Sequence, residues 1–243
     1  MMKRIFPWLV GMIGCLIFSV FASGNVTVYF PEGGHMVLAD VQNLSQLLNQ
    51  PKVNEPQTIR VLAEKRATVV AQKQYQQVIQ RLTFWEEKGE RTYSINAVLR
   101  QLMEVRVIGR QFVNLDLDWI NLRPEANFPL GGDYSLYLRK RDMTVRLMGA
   151  ISDTGKQNWK PQYTVSEYLK GHYRLAGADP DQVVIIGPNG NIRYAPTAYW
   201  NEYHIEVEPG SIIWVGFSSD VLPVTDPELG RDIISVLRRR IPD

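Results

Sequence analysis

Asp116 and Asp118 stand two residues apart in the segment 115–119. If that segment is extended, both carboxylates face one side. Such a pair suits acid/base chemistry or a cation. The preferred reading is plainer: Leu115, Leu117 and Trp119 turn inward and the aspartates form the polar face of a strand. Arg110 follows Gly109 at the expected tip of a hairpin, near Asp116, Asp118 and Arg123 in sequence. Its planar, permanently charged donors suit a uronate or phosphate group; the competing reading is a solvated turn arginine. Residues 193–204 are dense in aromatics. Tyr199 and Trp200 offer faces on which sugar rings stack, or else pack with Tyr194 as a loop over a sheet. The candidate ligand-binding residues are therefore Arg110, Asp116, Asp118, Arg123, Tyr199 and Trp200. Lined up between two units of the chain, the charged four would make a cleft.

Evidence for enzymatic chemistry is thin. His35, His172 and His204 are scattered, and none belongs to an H-E-x-x-H pattern. There is no G-x-S-x-G elbow, P-loop or dinucleotide-binding glycine pattern. The one cysteine, Cys15, lies in an apolar leader. No catalytic residue, metal ligand or cofactor is expected; a glycosidase using Asp116 or Asp118 is the enzymatic alternative, and a simple soluble-sugar-binding module is the other.

That leader spans residues 1–24. Lys3 and Arg4 precede an apolar run, and Ala22, Ser23 and Gly24 supply the small residues of a cleavage site. A lipoprotein reading around Cys15 is disfavoured because Leu16, Ile17 and Phe18 continue the apolar run. The expectation is a cleaved signal peptide and a periplasmic protein without a thiol. Of 27 basic and 25 acidic residues, the leader holds two basic ones. The remainder is balanced, which speaks against nucleic-acid binding by a global basic field.

The rest of the chain reads as two copies of one α+β unit, at 25–142 and 143–222. Val26, Val28 and Phe30 alternate as a half-buried strand, and Glu32, Gly33 and Gly34 turn it into a return strand. Residues 144–151 repeat the alternation ahead of Asp153, Thr154 and Gly155. Helical patterns follow at 94–102 behind Ser94 and at 164–170 behind Thr164. Residues 105–109 then match 183–187 as first arms of hairpins, and Gly132 matches Gly210 ahead of a buried strand. The first copy is longer. Residues 59–88 lack Gly and Pro and favour helix throughout, which predicts a helical insertion at about 57–88. One apolar stripe is expected at Val78, Ile79, Leu82 and Trp85, another at Leu62, Val69 and Val70. A helix over one face of a small mixed sheet, twice over, gives two tandem β-grasp domains.

A C-terminal amphipathic helix is expected over 226–241. Asp226 can cap it, Pro227 suits its first turn, and Leu229, Ile233, Val236, Leu237 and Ile241 form one stripe. Arg238, Arg239 and Arg240 crowd its last turn, favourable against the negative end of the helix dipole. The stripe either docks on the protein's own domains with the arginines in solvent, the favoured reading, or touches an outer-membrane surface.

Taken in order, these features resemble the GfcC family of group 4 capsule biosynthesis proteins. The likeness rests on Val26-Thr27-Val28-Tyr29, the Gln-rich stretch 71–80, Ile108-Gly109-Arg110, Asp116-Leu117-Asp118 and Arg123-Pro124. It continues through Leu130-Gly131-Gly132-Asp133-Tyr134, Gly149-Ala150 and Glu208-Pro209-Gly210. It covers nearly the whole chain after the leader, carried by the order of individually weak motifs. The resemblance implies β-grasp domains like the SLBB-like domains of Wza-type export proteins. It also implies an inserted helical hairpin and a role in assembly or export of surface polysaccharide, which the missing catalytic constellation makes a non-enzymatic one. The partners it implies are the polysaccharide or its export proteins.

Overall fold

The structure is a computed structural model that describes residues 23–55, 58–89, 92–198, 204–219 and 226–242. The expected signal peptide lies outside those residues, apart from its last two positions. The first unit opens with β1 (Gly24–Tyr29), β2 (His35–Val41), α1 (Leu44–Leu48) and β3 (Thr58–Glu64). It continues through α2 (Lys65–Glu87), α3 (Thr92–Met103) and α4 (Leu117–Leu122), and closes with β4 (Asp133–Lys140). The second unit is β5 (Thr144–Gly149), β6 (Gly155–Asn158), α5 (Val165–Leu169), β7 (Gln182–Ile186), β8 (Ile192–Pro196) and β9 (Ile212–Val215). It is followed by α6 (Leu229–Arg238).

Two mixed sheets result. The first has the order β2-β1-β4-β3, the second β6-β5-β9-β7-β8. In each, the opening strand runs parallel to the closing one, as β1 does to β4 and β5 to β9. The duplication is real, but its internal alignment differs from the expected one. β3 occupies the place of β7, and α1 the place of α5. Residues 105–109 are no hairpin arm, and α3 is not the repeated helix. The register also slips by one at the closing strands: Asn25 N–H donates to the Gly132 carbonyl, and Arg146 N–H to that of Ser211. Gly132 thus corresponds to Ser211, not Gly210.

The insertion is shifted accordingly. Residues 58–64 form a strand because Val61, Leu62 and Ala63 are buried and the segment pairs along β4. Sheet pairing overrides helix propensity there. The excess of the first unit is everything between β3 and β4. Ala71, Val78 and Leu82 form the buried stripe of α2, whereas Val69 and Val70 are exposed.

α2 and α3 do not cover their own sheet. Ala71, Val78, Leu82, Val98, Leu99 and Leu102 share one core with Met148, Val184, Ile186, Ile212 and Trp214 of the second sheet, and with Leu229, Ile233, Val236 and Leu237 of α6. The opposite face of that sheet, through Leu147, Ile185 and Ile213, packs on Val165 and Tyr168 of α5. With both faces covered, β7 and β9 read as unbroken apolar runs. The Gln101 side-chain amide exchanges two hydrogen bonds with the Gly149 backbone, at 2.7 and 3.1 Å. Gly149 sits at φ +108°, and a Cβ there would meet the Val215 carbonyl oxygen at 2.0 Å. Ser94 is no cap; its hydroxyl lies inside α3 and donates to the Ala176 carbonyl at 2.8 Å.

α6 docks on the protein's own core, as favoured, but begins at Leu229 rather than Asp226. The Asp226 carboxylate is taken by Arg81 of α2, whose Nε donates to it at 2.8 Å. Arg81 also bonds Asp232 at 2.6 Å. The expected solvation of the terminal arginines is wrong. Arg240 is 7% exposed and donates to the carbonyls of Gly210, Ile186 and Leu237. The segment after α6 forms a short ladder with 106–108: Ile108 N–H donates to Arg239 O and Ile241 N–H to Arg106 O. The alternation of Val105 and Val107 thus finds its partner at the C-terminus instead of in a hairpin.

Candidate functional site

Arg110 owes its position to the backbone around it. Gly109 packs against the start of α2, where a Cβ would lie 2.2 Å from the Thr68 nitrogen. Its N–H donates to the Thr68 hydroxyl at 2.9 Å, and its carbonyl accepts from Glu64 N–H at 3.0 Å. Gln111 N–H reaches the Leu62 carbonyl at 2.8 Å. Residues 109–111 are thereby held beside β3.

The side chain then crosses to the second unit. Arg110 Nη2 donates to the Pro188 carbonyl at 2.6 Å, within the turn joining β7 to β8. Arg110 is only 6% exposed, so it is neither a hairpin tip nor a solvated turn residue. Its Nη1 is buried without a hydrogen-bond partner, and no acidic side chain pairs with it among the described residues. Burial, and then the like charge of Arg238, push its pKa down to about 10. Arg238 lies over the Phe112 ring at 4.1 Å, and Arg110 lies 5.9 Å from the same ring. Arg238 Nε also donates to the Gly190 carbonyl at 3.2 Å. Two arginines thus flank one aromatic ring against the 188–190 turn.

Arg110 lines a cleft of about 310 Å³ between the units, with Arg60, Gln111 and Asn114 on one side and Asn189 and Asn191 on the other. The other charged candidates lie outside that lining. Asp116 and Asp118 do not share a strand face: Asp116 caps α4, its carboxylate accepting from the N–H groups of Asp118 at 2.9 Å and Trp119 at 3.3 Å. Asp caps favourably there because it satisfies orphan donors at the helix start. Leu115 and Leu117 turn inward as expected, but Ile120 is the buried residue of α4 and Trp119 stays 40% exposed. Arg123 stacks on the Trp119 ring at 3.7 Å. The negative charge of Asp116 reaches Arg60, a cleft residue whose pKa burial lowers and Asp116 partly restores.

Tyr199 and Trp200 lie outside the described residues. Tyr194, on β8, is 59% exposed. His172 is held by its own unit, with Nδ1 3.0 Å from the Ser152 carbonyl and Nε2 3.0 Å from the Gln157 amide. Among the described residues no group of three or more His, Cys, Asp or Glu is placed to hold a metal ion, and no helix is long and apolar enough to cross a membrane. Sequence reasoning missed Arg60, Phe112, Asn189 and Asn191. Pro188, Asn189 and Gly190 are turn-forming residues, but the place of that turn opposite Arg110 depends on how the units dock.

Two family models match the chain. The N-terminal capsule biosynthesis GfcC model matches residues 22–141, and the C-terminal model residues 153–242. A curated relative from Escherichia coli (strain K12), the "Uncharacterized protein YjbG", is 36% identical over 228 residues, covering 92% of this chain and 93% of that protein.

Proposed function

We propose that this chain, which belongs to the GfcC family of capsule biosynthesis proteins, is a periplasmic, non-enzymatic accessory protein in the assembly or export of a surface polysaccharide. The family match supports a role in capsule assembly. The sheet order and the repeated strand–strand–helix–strand pattern support reading each unit as a β-grasp domain of SLBB-like kind. The leader at 1–24 supports periplasmic localisation.

Arg110 is the observation that carries the site. A guanidinium held in a cleft without a counterion costs stability, which structural side chains ordinarily avoid. A site that takes an anionic glycan group or an acidic surface of an export partner recovers that cost on binding. The non-enzymatic reading is favoured over glycoside hydrolysis by Asp116, whose carboxylate is engaged in capping α4.

Deleting the gene and staining for surface polysaccharide tests the role; unchanged capsule or O-antigen would sink it. Arg110→Ala should impair polymer export while the melting temperature stays near wild type. Normal export by that variant removes Arg110 from the site. Shortening of purified polymer by the protein, abolished in Asp116→Asn, would restore the enzymatic alternative.

A further inference from the structure

The lining of the Arg110 cleft distinguishes between the two kinds of anion that could enter it. Main-chain groups on both walls already have partners. On the first wall, Arg110 N–H donates to the Ile108 carbonyl and Gln111 N–H to that of Leu62, each at 2.8 Å. On the second, the carbonyls of Pro188, Gly190 and Asn191 accept from Arg110 Nη2, Arg238 Nε and Gly187 N–H. An extended peptide draws much of its affinity from main-chain hydrogen bonds with its host, and neither wall offers it a ladder. Acidic peptides are otherwise taken by clusters of arginines. Here Arg60 is tied to the carbonyls of Val53 and Glu55, at 3.0 and 3.1 Å, and stands in the field of Asp116. Arg238 lies outside the lining. Among the described residues of the lining, the guanidinium of Arg110 is left as the cation without a compensating acid.

Side-chain amides supply what the main chain does not. The Asn189 side-chain oxygen accepts from Asn191 N–H at 3.0 Å, and that of Asn114 from Asp116 N–H at 2.9 Å. In both, the amide N–H donors remain for another partner. The Gln111 amide nitrogen donates to the Gly109 carbonyl at 3.1 Å, which leaves its oxygen as an acceptor. Donors and an acceptor around one cavity match the hydroxyls of a sugar, each of which both donates and accepts. The walls are preorganised, which lowers the cost of binding. Gly190, at φ +83°, lets the second wall close on Phe112, where a Cβ would lie 2.6 Å from the ring. A cavity of about 310 Å³ is at the lower end of small-molecule sites, room for one pyranose ring. Arg110 Nη1 is closed to solvent, so the charge of a ligand need not touch it. A buried, unscreened charge is felt over several ångströms through the cleft wall.

We propose that the Arg110 cleft takes one uronate ring of a polysaccharide chain, its carboxylate drawn by Arg110 and its hydroxyls read by Asn114, Asn189 and Gln111. The inference rests on the polysaccharide role and on Arg110 as its site, and it chooses the glycan over an acidic protein surface.

Calorimetric titration of the purified full-length mature protein tests it. The probes are methyl glucuronoside, methyl glucoside, glucose 1-phosphate and a blocked acidic tripeptide with aspartate at both ends. The glucuronoside should bind at millimolar concentration, at least tenfold more tightly than the other three, and added salt should weaken it. Arg110→Met should lower that affinity at least tenfold with the melt at or above wild type. Asn189→Asp keeps the oxygen that Asn191 N–H uses and replaces the amide donors by a negative charge; it should also lower the affinity at least tenfold, with the melt near wild type. Arg231→Ala, on the exposed side of α6, should leave the affinity unchanged. Binding of the glucoside, the phosphate or the peptide as tight as that of the glucuronoside, or unchanged affinity in either cleft variant, would overturn the assignment. If deletion of the gene abolishes capsule but the protein ignores the glucuronoside, uronate binding falls and the polysaccharide role stands. If the glucuronoside binds as expected and deletion leaves the capsule intact, the site stands and the role falls.

Discussion

Truncating Ile233 to alanine isolates the docking of α6 from its other properties. The side chain is fully buried, in a cluster that α2, α3 and the second sheet close around it. Large-to-small changes at such positions cost about 2–5 kcal/mol, the loss growing with the cavity left behind. Three elements fix the walls here, so the site has little room to collapse and about 3 kcal/mol is expected. For a chain of this size each kcal/mol moves the midpoint by roughly 2–4 °C, so Ile233→Ala should melt about 6–12 °C below wild type by scanning calorimetry. The control is Arg231→Ala, whose side chain is 75% exposed; it should stay within about 0.5 kcal/mol. The two units share the core that Ile233 joins, so the whole protein should melt in one transition. An Ile233→Ala variant that melts with wild type, from a protein recovered in washed outer membranes, would refute docking and return α6 to a membrane.

Arg81→Met leaves Asp226 and Asp232 without their shared cation and should cost about 1–3 kcal/mol in urea unfolding; an unchanged midpoint would mean that Arg81 does not hold the entry to α6. Arg110→Met removes a cation whose pKa is depressed, so the folded state disfavours its charge at neutral pH; the variant should melt at or above wild type, and a marked loss would show a structural role. Gly149→Ala should cost about 2–4 kcal/mol, since a Cβ meets the Val215 backbone at a positive φ; an unperturbed melt would contradict that close approach. Burial raises the Asp142 pKa, but hydrogen bonds from Lys156 and Thr144 outweigh it and leave the carboxyl below its ordinary 3.8. Its stabilisation is complete above that value and is lost as pH falls through the lower folded one. Asp142→Asn should flatten that acid limb below about pH 4, and an identical limb in both proteins would rule the pair out as its source.

Much of the architecture was legible where local pattern and final environment agree. The β1 alternation, the Thr164 N-cap and the stripe of α6 are satisfied by neighbours close in sequence or by one apolar face. The misreadings share a cause. β3 has helix-favouring composition and becomes a strand only because β4 is there to pair with it. Val105 and Val107 alternate like a strand, and their partner arrives more than a hundred residues later. Asp116 and Asp118 fit a strand face as well as a helix start; Ile120 decides, because it must enter the first core. Arg110 could be singled out by residue type, but its burial was invisible, since it depends on Pro188 and Arg238 coming from the other unit. The tight fit of Gly109 against α2 explains why a glycine precedes it.

The sharing of one core by the insertion, the second sheet and α6 bears on the order in which the molecule is completed. The second sheet has one face that only residues from before it and after it can cover. As the chain emerges from synthesis or transport, α2 and α3 appear first, with an apolar stripe and no sheet to rest on. The strands come next, and the sealing helix comes after every strand it covers. Folding of the second unit therefore cannot finish vectorially. Until α6 arrives, Trp214, Ile186 and Val184 remain open on one side. In that interval a chaperone or a second nascent chain can compete for the surface that α6 later occupies.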